Sequence, residues 1–248
     1  MTALLRIVFV VGFVGAWALA SNNAEWSFIP HPLETLSALK KLALSGELSM
    51  ALGQSLSIFA SGLGLAALVG IPFGAVMGMV PPIGRMLDVF VYALAATPRV
   101  AFIPLIIVLL GLGVEAKSFV VFLGAVMPIV INTYAGVQNA DDELIEMARS
   151  TGLGRLELFW HVVLPGAVPF LVTGIRLGAT IGLINTIVAE LYMAVNGLGG
   201  LLALYGNTFR MAEYFAVVFV LAFIGGLVNE GLRLAERRVL SWRRTVER

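Results

Sequence analysis

The chain has 248 residues, 59% hydrophobic and 12% charged, with a formal net charge of +1. A soluble domain carries about 25% charged residues, so a water-faced globule is excluded, and apolar residues grouped into long runs predict an all-α polytopic membrane protein. The lack of cysteine excludes disulfides and thiolate chemistry, two histidines (His31 and His161) argue against a histidine-rich metal site, no P-loop run is present, and so small a charge gives no sign of nucleic acid.

A bilayer-crossing helix needs about 20 mostly apolar residues. Six runs qualify: 3–20, 53–79, 85–110, 117–137, 167–192 and 213–235. The first, with Arg6 and Ala18-Leu19-Ala20, also has the form of a secretory signal. A retained span is preferred, because the rest of the chain is membrane-bound in any case. Segment 30–52 opens on Pro30 and Pro32 and then places Leu33, Leu36, Leu39, Leu42 and Ala43 at helical spacing. That pattern predicts an amphipathic helix at the membrane surface or against the bundle.

The second run carries Gly70, Gly74 and Gly78. Four-residue spacing sets glycines on one helix face, where backbones approach closely. The face serves packing within the bundle, or a dimer contact or sliding surface. In the third run, Thr97-Pro98-Arg99 and Pro104 interrupt the helix. Broken backbone at membrane depth is tolerated where it is buried or lines a cavity, so this run is a candidate for the solute pathway. The alternative is a plain kink with Arg99 reaching back to the cytoplasmic interface.

Residues 138–166 form the longest polar interruption, with Asp141, Asp142, Glu143, Glu146, Arg149, Arg155 and Glu157. Asn139 and Asp141 are N-cap residues, and Asp142 and Glu143 add negative charge in the first turn. Leu144, Ile145 and Ala148 share a face, and Gly152 and Gly154 end this helix. A second stretch has Leu156, Phe159, Trp160 and Val163 at amphipathic spacing, and Pro165 is expected to stop it. The prediction is two short helices at an angle, one face seated on the spans and the other presenting Glu146, Arg149 and the glycine turn.

The fifth run repeats the glycine row at Gly174, Gly178 and Gly182, and contains Arg176, Asn185 and Glu190. A charge at the bilayer centre costs about 3 kcal/mol, so these groups should face protein or water. Arg176 and Glu190 are about 21 Å apart along a helix and do not pair directly. Arg176 lines a pathway or ties this helix to a carboxylate or carbonyl elsewhere. Glu190 faces protein or reaches the outer interface. Candidates for the solute pathway are Arg99, Asn132, Arg176, Asn185 and Glu190.

With the N-terminus inside, Arg6, Arg85, Arg149, Arg155, Arg233, Arg237, Arg238, Arg243, Arg244 and Arg248 are cytoplasmic, against Lys40, Lys41, Lys117 and Arg210 outside. This agrees with the positive-inside rule and places both termini in the cytoplasm. The C-terminal arginines read as a topology anchor on anionic lipid.

Glu146-Met147-Ala148, Gly152 four residues on, and Val162-Val163-Leu164-Pro165 after nine more resemble the E-A-A-x(3)-G-x(9)-I-x-L-P loop of bacterial ATP-binding-cassette (ABC) importer permeases. Met147 and Val162 depart from that pattern with other apolar residues. Ala96-Thr97-Pro98-Arg99 with Phe102-Ile103-Pro104-Leu105, Pro128 to Thr133, and Ala189-Glu190 with Gly197-Leu198-Gly199 look like the nitrate/sulfonate/taurine branch. The likeness runs from about residue 30 to 240.

The resemblance implies a single six-span inner-membrane permease domain over 1–248 with a coupling loop at 139–165. It also implies two permease subunits, here expected as a homodimer, two cytoplasmic ATPases and an external solute-binding protein. Its coupling residues fall on Glu146, Ala148, Arg149, Gly152 and Pro165. No cofactor is expected on this chain, and ATP and Mg belong to the partner. The resemblance implies a small organic or inorganic anion as cargo, and some relatives of the branch handle vitamin precursors. The competing expectations are a secondary transporter, which needs ion-coupling groups at the midplane, and a scaffold without flux.

Overall fold

The computed structural model describes residues 2–22, 28–193 and 196–241. Arg243, Arg244 and Arg248, counted above, lie outside them, as does the Arg6 side chain. Among the described residues the secondary structure is helical throughout. In chain order the helices are α1 (Thr2–Ser21), α2 (Pro32–Leu44), α3 (Glu47–Met79), α4 (Pro81–Ala96), α5 (Ile103–Leu110), α6 (Val114–Gln138), α7 (Asp142–Ser150), α8 (Arg155–Leu158), α9 (Leu164–Met193), α10 (Gly197–Asn207) and α11 (Met211–Val239).

Four helical runs are long and apolar enough to cross a membrane: α3, α6, the continuous Arg155–Met193 run and α11. The pair α4 and α5, bent by 83°, makes a fifth. The break has a local cause. Proline disfavours the helical region for the residue before it, and Thr97, before Pro98, is extended at φ −73°, ψ 132°. Pro104 then falls in the first turn of α5, where its missing N–H costs nothing. The sixth predicted run is helical as α1, but Val8–Ser21, its described apolar part, is shorter than a span.

Two boundaries differ from the expectation. The surface helix ends at Leu44, not near 52, and α3 begins at Glu47. Gly46, at φ +78°, makes the turn between them. The buried face of α2 is Thr35, Ala38 and Leu42, whereas Leu33 and Leu36 are exposed. Of the leucines, Leu42 is on the buried face beside the small Thr35 and Ala38.

Contacts divide the chain into two bodies, residues 1–56 with 190–224 and residues 57–189 with 225–248, with boundaries inside α3, α9 and α11. In the second body α6 is the central helix. Its Ala125, Val126, Ile129, Val130 and Tyr134 pack with Ala66 and Met77 of α3 and Val91 of α4. An added Cβ at Gly74 would lie 2.6 Å from the Val130 carbonyl oxygen, and one at Gly78 2.5 Å from Val137. Gly70 faces Ile129 in the same way. From the α9 side, Gly174 faces Asn132 and Gly178 faces Ala125 and Ile129. Gly182 stands a little further off Val121, at 3.4 Å. Both glycine rows therefore lie against α6.

In the first body, Trp17 of α1 stacks on Phe215 and Phe219 of α11 at ring distances of 6.2 and 5.2 Å. The sequence reading left 193–212 without structure, but it contains α10. Helix α10 is tied at both ends. At its start, the Gly197 N–H donates to Gln54 Oε1 (3.0 Å), Leu198 N–H to Ser55 Oγ (2.9 Å) and Gly199 N–H to Glu190 Oε2 (2.9 Å). At its end, the Tyr205 hydroxyl donates to Glu47 (2.9 Å). Burial and that hydrogen bond push the Tyr205 phenol up to about 12.

Candidate functional site

The polar loop forms the first short helix expected of it, but the second is the start of the continuous Arg155–Met193 run. Asn139 is the C-cap of α6, which leaves Asp141 as the N-cap of α7. The Asp141 carboxylate accepts from the N–H groups of Glu143 (2.9 Å) and Leu144 (3.4 Å) and opens α7. Acidic side chains in this first turn complement the positive end of the helix dipole. Helix α7 closes at Thr151, and Gly152 follows at φ +86°. This left-handed conformation is open to glycine and strained for other residues. Gly154 does not end α7. It is extended, its N–H donates to Glu157 Oε2 (3.0 Å), and it starts α8.

Pro165 does not stop the second helix. A π-turn over Phe159–Val163 joins α8 to α9, with Leu164 N–H bonded to the Phe159 carbonyl. Proline inside a helix loses the bond to the carbonyl four residues back. A π-turn is looser and redirects its carbonyls, so the helix passes through Pro165. The wider turn also shifts the buried face. Leu158 and Val163, five residues apart, are buried, while Leu156 and Trp160, expected inside, are 66% and 58% exposed.

The inner face of the loop is Ile145 and Phe159, packed on Ala75, Val137, Val163 and Ala167. Ala148 is buried as expected. Leu144, placed on the same face by the sequence, is exposed with Met147. The outward surface thus combines Glu146 and Arg149 with Leu144, Met147, Leu156 and Trp160.

The intramembrane polar residues find different partners. Arg176 pairs with Glu236 of α11 at 2.8 Å, the carboxylate option of the sequence reading. Glu190 is fully buried, so it does not reach an outer interface. Both its oxygens accept from Ser55 Oγ (2.7 and 2.8 Å) as well as from the start of α10. Arg99 turns back to donate from Nη2 to the Ala95 carbonyl (3.0 Å) at the end of α4, where a cation suits the helix dipole. Asn132 donates to the Pro128 carbonyl within α6 (2.8 Å). Asn185 lies on the bare backbone of Gly124.

Among the described residues of the second body, three buried donors make no hydrogen bond: Arg99 Nε, Thr133 Oγ1 and Asn185 Nδ2. Buried polar groups are nearly always satisfied, so such exceptions call for an explanation. Thr133 ends the Pro128 to Thr133 stretch quoted for the branch, but the sequence reading did not name it among the pathway candidates. A cavity of about 350 Å³ lined by Phe73, Phe90, Leu94 and Phe122 is wholly apolar and offers an anion nothing. Among the described residues no cluster of three metal-ligating side chains occurs.

Residues 70–239 match the family of binding-protein-dependent transport system inner membrane components. The chain belongs to this family. This permease is 37% identical over 243 residues to the putative aliphatic sulfonates transport permease protein SsuC of Escherichia coli strain K12, covering 94% of this chain and 89% of that one. It is 32% identical to the taurine transport system permease protein TauC of the same organism, over 89% and 82% of the two chains. It is 27% identical to the nitrate import permease protein NrtB of Synechocystis, over 88% and 82%. The branch is that of the nitrate, sulfonate and taurine importers.

In fold the permease is similar to a chain of the inward-facing MetNI methionine ABC transporter, with a TM-score of 0.71 at 19% identity, covering 79% of this chain and 98% of that one. The protein is therefore a multi-pass inner-membrane permease subunit of an ABC importer. It is not an enzyme. Its family works with a separate ATPase and an external binding protein.

Proposed function

We propose that residues 1–248 act as one permease domain in a homodimer, with both termini cytoplasmic, and that the loop 139–165 is gripped from inside the cell by the ATPase. The supporting observation is the exposed pair Glu146 and Arg149 beside the Gly152 elbow, on a helix whose opposite side, at Ile145 and Ala148, is seated on the spans. ATP and Mg are bound by the partner. Closure of the ATPases pushes the elbow, and the push passes into the membrane because α8 continues through the π-turn and Pro165 into α9. The Arg155–Met193 run is 39 residues long, and its α9 part slides on α6 along the glycine row.

The cargo is a small anion such as a sulfonate, taurine or nitrate, delivered by the external binding protein. The relatives' substrates support this, and so do donors without acceptors. An anion accepts from Asn185 Nδ2, Thr133 Oγ1 and Arg99 Nε as it passes, with Asn132 and Arg176, each already bonded within the protein, further along the same helices. Glu190, an acceptor already engaged, shapes the path by holding α10.

Gly152→Pro tests the coupling. Proline fixes φ near −65° and is incompatible with +86°. Uptake should fall by about tenfold or more while insertion and expression are kept. Unchanged uptake removes the loop from the mechanism. A secondary transporter or a scaffold would be indifferent both to this change and to a hydrolysis-dead ATPase.

A further inference from the structure

Among the described residues, Phe209 is the one non-glycine with positive φ, at +56°. Glycine and asparagine are the usual occupants of that region, and a bulky side chain there is an outlier. Such an outlier persists when its surroundings over-determine it, and it points to function. Here the surroundings do so. Phe209 N–H donates to the Gly206 carbonyl (3.3 Å), Arg210 N–H to the Tyr205 carbonyl (2.9 Å) and Met211 N–H to the Phe209 carbonyl (3.0 Å). The Arg210 guanidinium lies over the Tyr205 ring at 4.7 Å and pairs with Glu213 at 2.6 Å. Tyr205 in turn is held by Glu47.

This rigid turn displays its aromatic ring instead of burying it. Phe209 is 69% exposed and meets Phe28, 64% exposed, at a ring distance of 6.1 Å. Asn207, Thr208 and Arg210 make a polar rim. In the topology proposed above, helix α9 crosses the membrane once between the docking loop and α10. With 11 residues, or about 16 Å, α10 is too short to cross back. With the docking loop cytoplasmic and the runs 167–192 and 213–235 each crossing the membrane, as in the topology proposed above, the turn lies outside the cell.

We propose that Phe209 and Phe28 form an aromatic knob that the external binding protein grips when it delivers solute. The inference rests on the topology proposed above. Aromatic anchors inside a polar rim are the make-up of protein–protein hot spots. A lipid headgroup layer also takes aromatic rings, but it is fluid and accepts them at any angle. A ring fixed in a strained turn suits a partner of fixed shape.

The test uses the whole importer, permease with ATPase in nanodiscs, titrated with its purified, solute-loaded binding protein. Phe209→Gly keeps the turn, since glycine adopts this φ freely, and removes the ring. The binding-protein concentration for half-maximal ATPase stimulation should rise about tenfold, and Phe28→Ala should do the same, with the permease still co-purifying with its ATPase. The chain has no cysteine, so Phe209→Cys provides a single label site. Its reaction with a membrane-impermeant maleimide should slow when the binding protein is added. Superimposed titrations, loss of the ATPase from the purified Phe209→Gly complex, or quenching of the label at position 209 by brominated lipid would each overturn the proposal. If the wild-type importer shows no stimulation at all, the underlying functional reading has failed instead.

Discussion

Asn185 shows how a residue's role is separated from its cost. Its side chain is 8% exposed, lies on Gly124 and leaves Nδ2 unpaired. A buried donor without an acceptor costs about 1–3 kcal/mol. Replacing it by an apolar residue of similar size should leave stability unchanged or improve it. A residue kept for packing alone gives nothing up in that exchange, whereas one kept for a passing anion loses the anion's partner. Asn185→Val is therefore expected to keep or raise the melting temperature of the purified permease and to cut uptake severalfold. A lower melting temperature with normal uptake reverses the assignment. Arg176 is the contrasting case. Its charge is answered inside the protein by Glu236, and an arginine with a resident partner has a structural reason to be where it is.

At the scale of the element, the glycine rows make a graded prediction. At Gly74 an added methyl would meet the Val130 carbonyl oxygen at 2.6 Å, a backbone atom that does not rotate away. At Gly182 the nearest atom is 3.4 Å off. Overpacking a tight helix contact costs about 1–3 kcal/mol. Gly74→Ala should lower the melting temperature by several degrees, and Gly182→Ala should be nearly silent, as read by thermal unfolding in detergent. Equal effects would show that the two rows are not packed as described. The sequence reading identified both rows by their spacing. It did not identify α6 as the shared partner, because α6 shows no such pattern. It places valine, isoleucine and alanine, with Asn132 and Thr133, opposite the glycines.

At the scale of the whole molecule, the topology makes one binary prediction. The chain lacks cysteine, so single replacements report sidedness directly. In intact cells stripped of their outer barrier, an impermeant maleimide should label Ser45→Cys and spare Ser150→Cys, and in inverted vesicles the pattern should reverse. The same pattern at both positions in either preparation would refute the positive-inside reading. The measurement also bears on the proposed docking of loop 139–165, which requires position 150 to be on the ATPase side.

The sequence by itself determined that this chain is a helical membrane protein, and the spacing of Glu146, Gly152 and Leu164-Pro165 determined its family. Composition and short-range pattern suffice there, because a bilayer demands runs of fixed length and a turn at positive φ demands glycine at position 152. Tertiary structure alone decided the rest. Pro165 reads as a stop, yet the π-turn before it carries the helix through, and the buried residues move to Leu158 and Val163. Glu190 reads as a pathway residue or one reaching the outer interface, yet it is buried and anchors α10, a helix the span pattern did not show. Arg176 has its carboxylate 60 residues away. Each of these depends on which distant group arrives at a given point, and a local period carries no information about that.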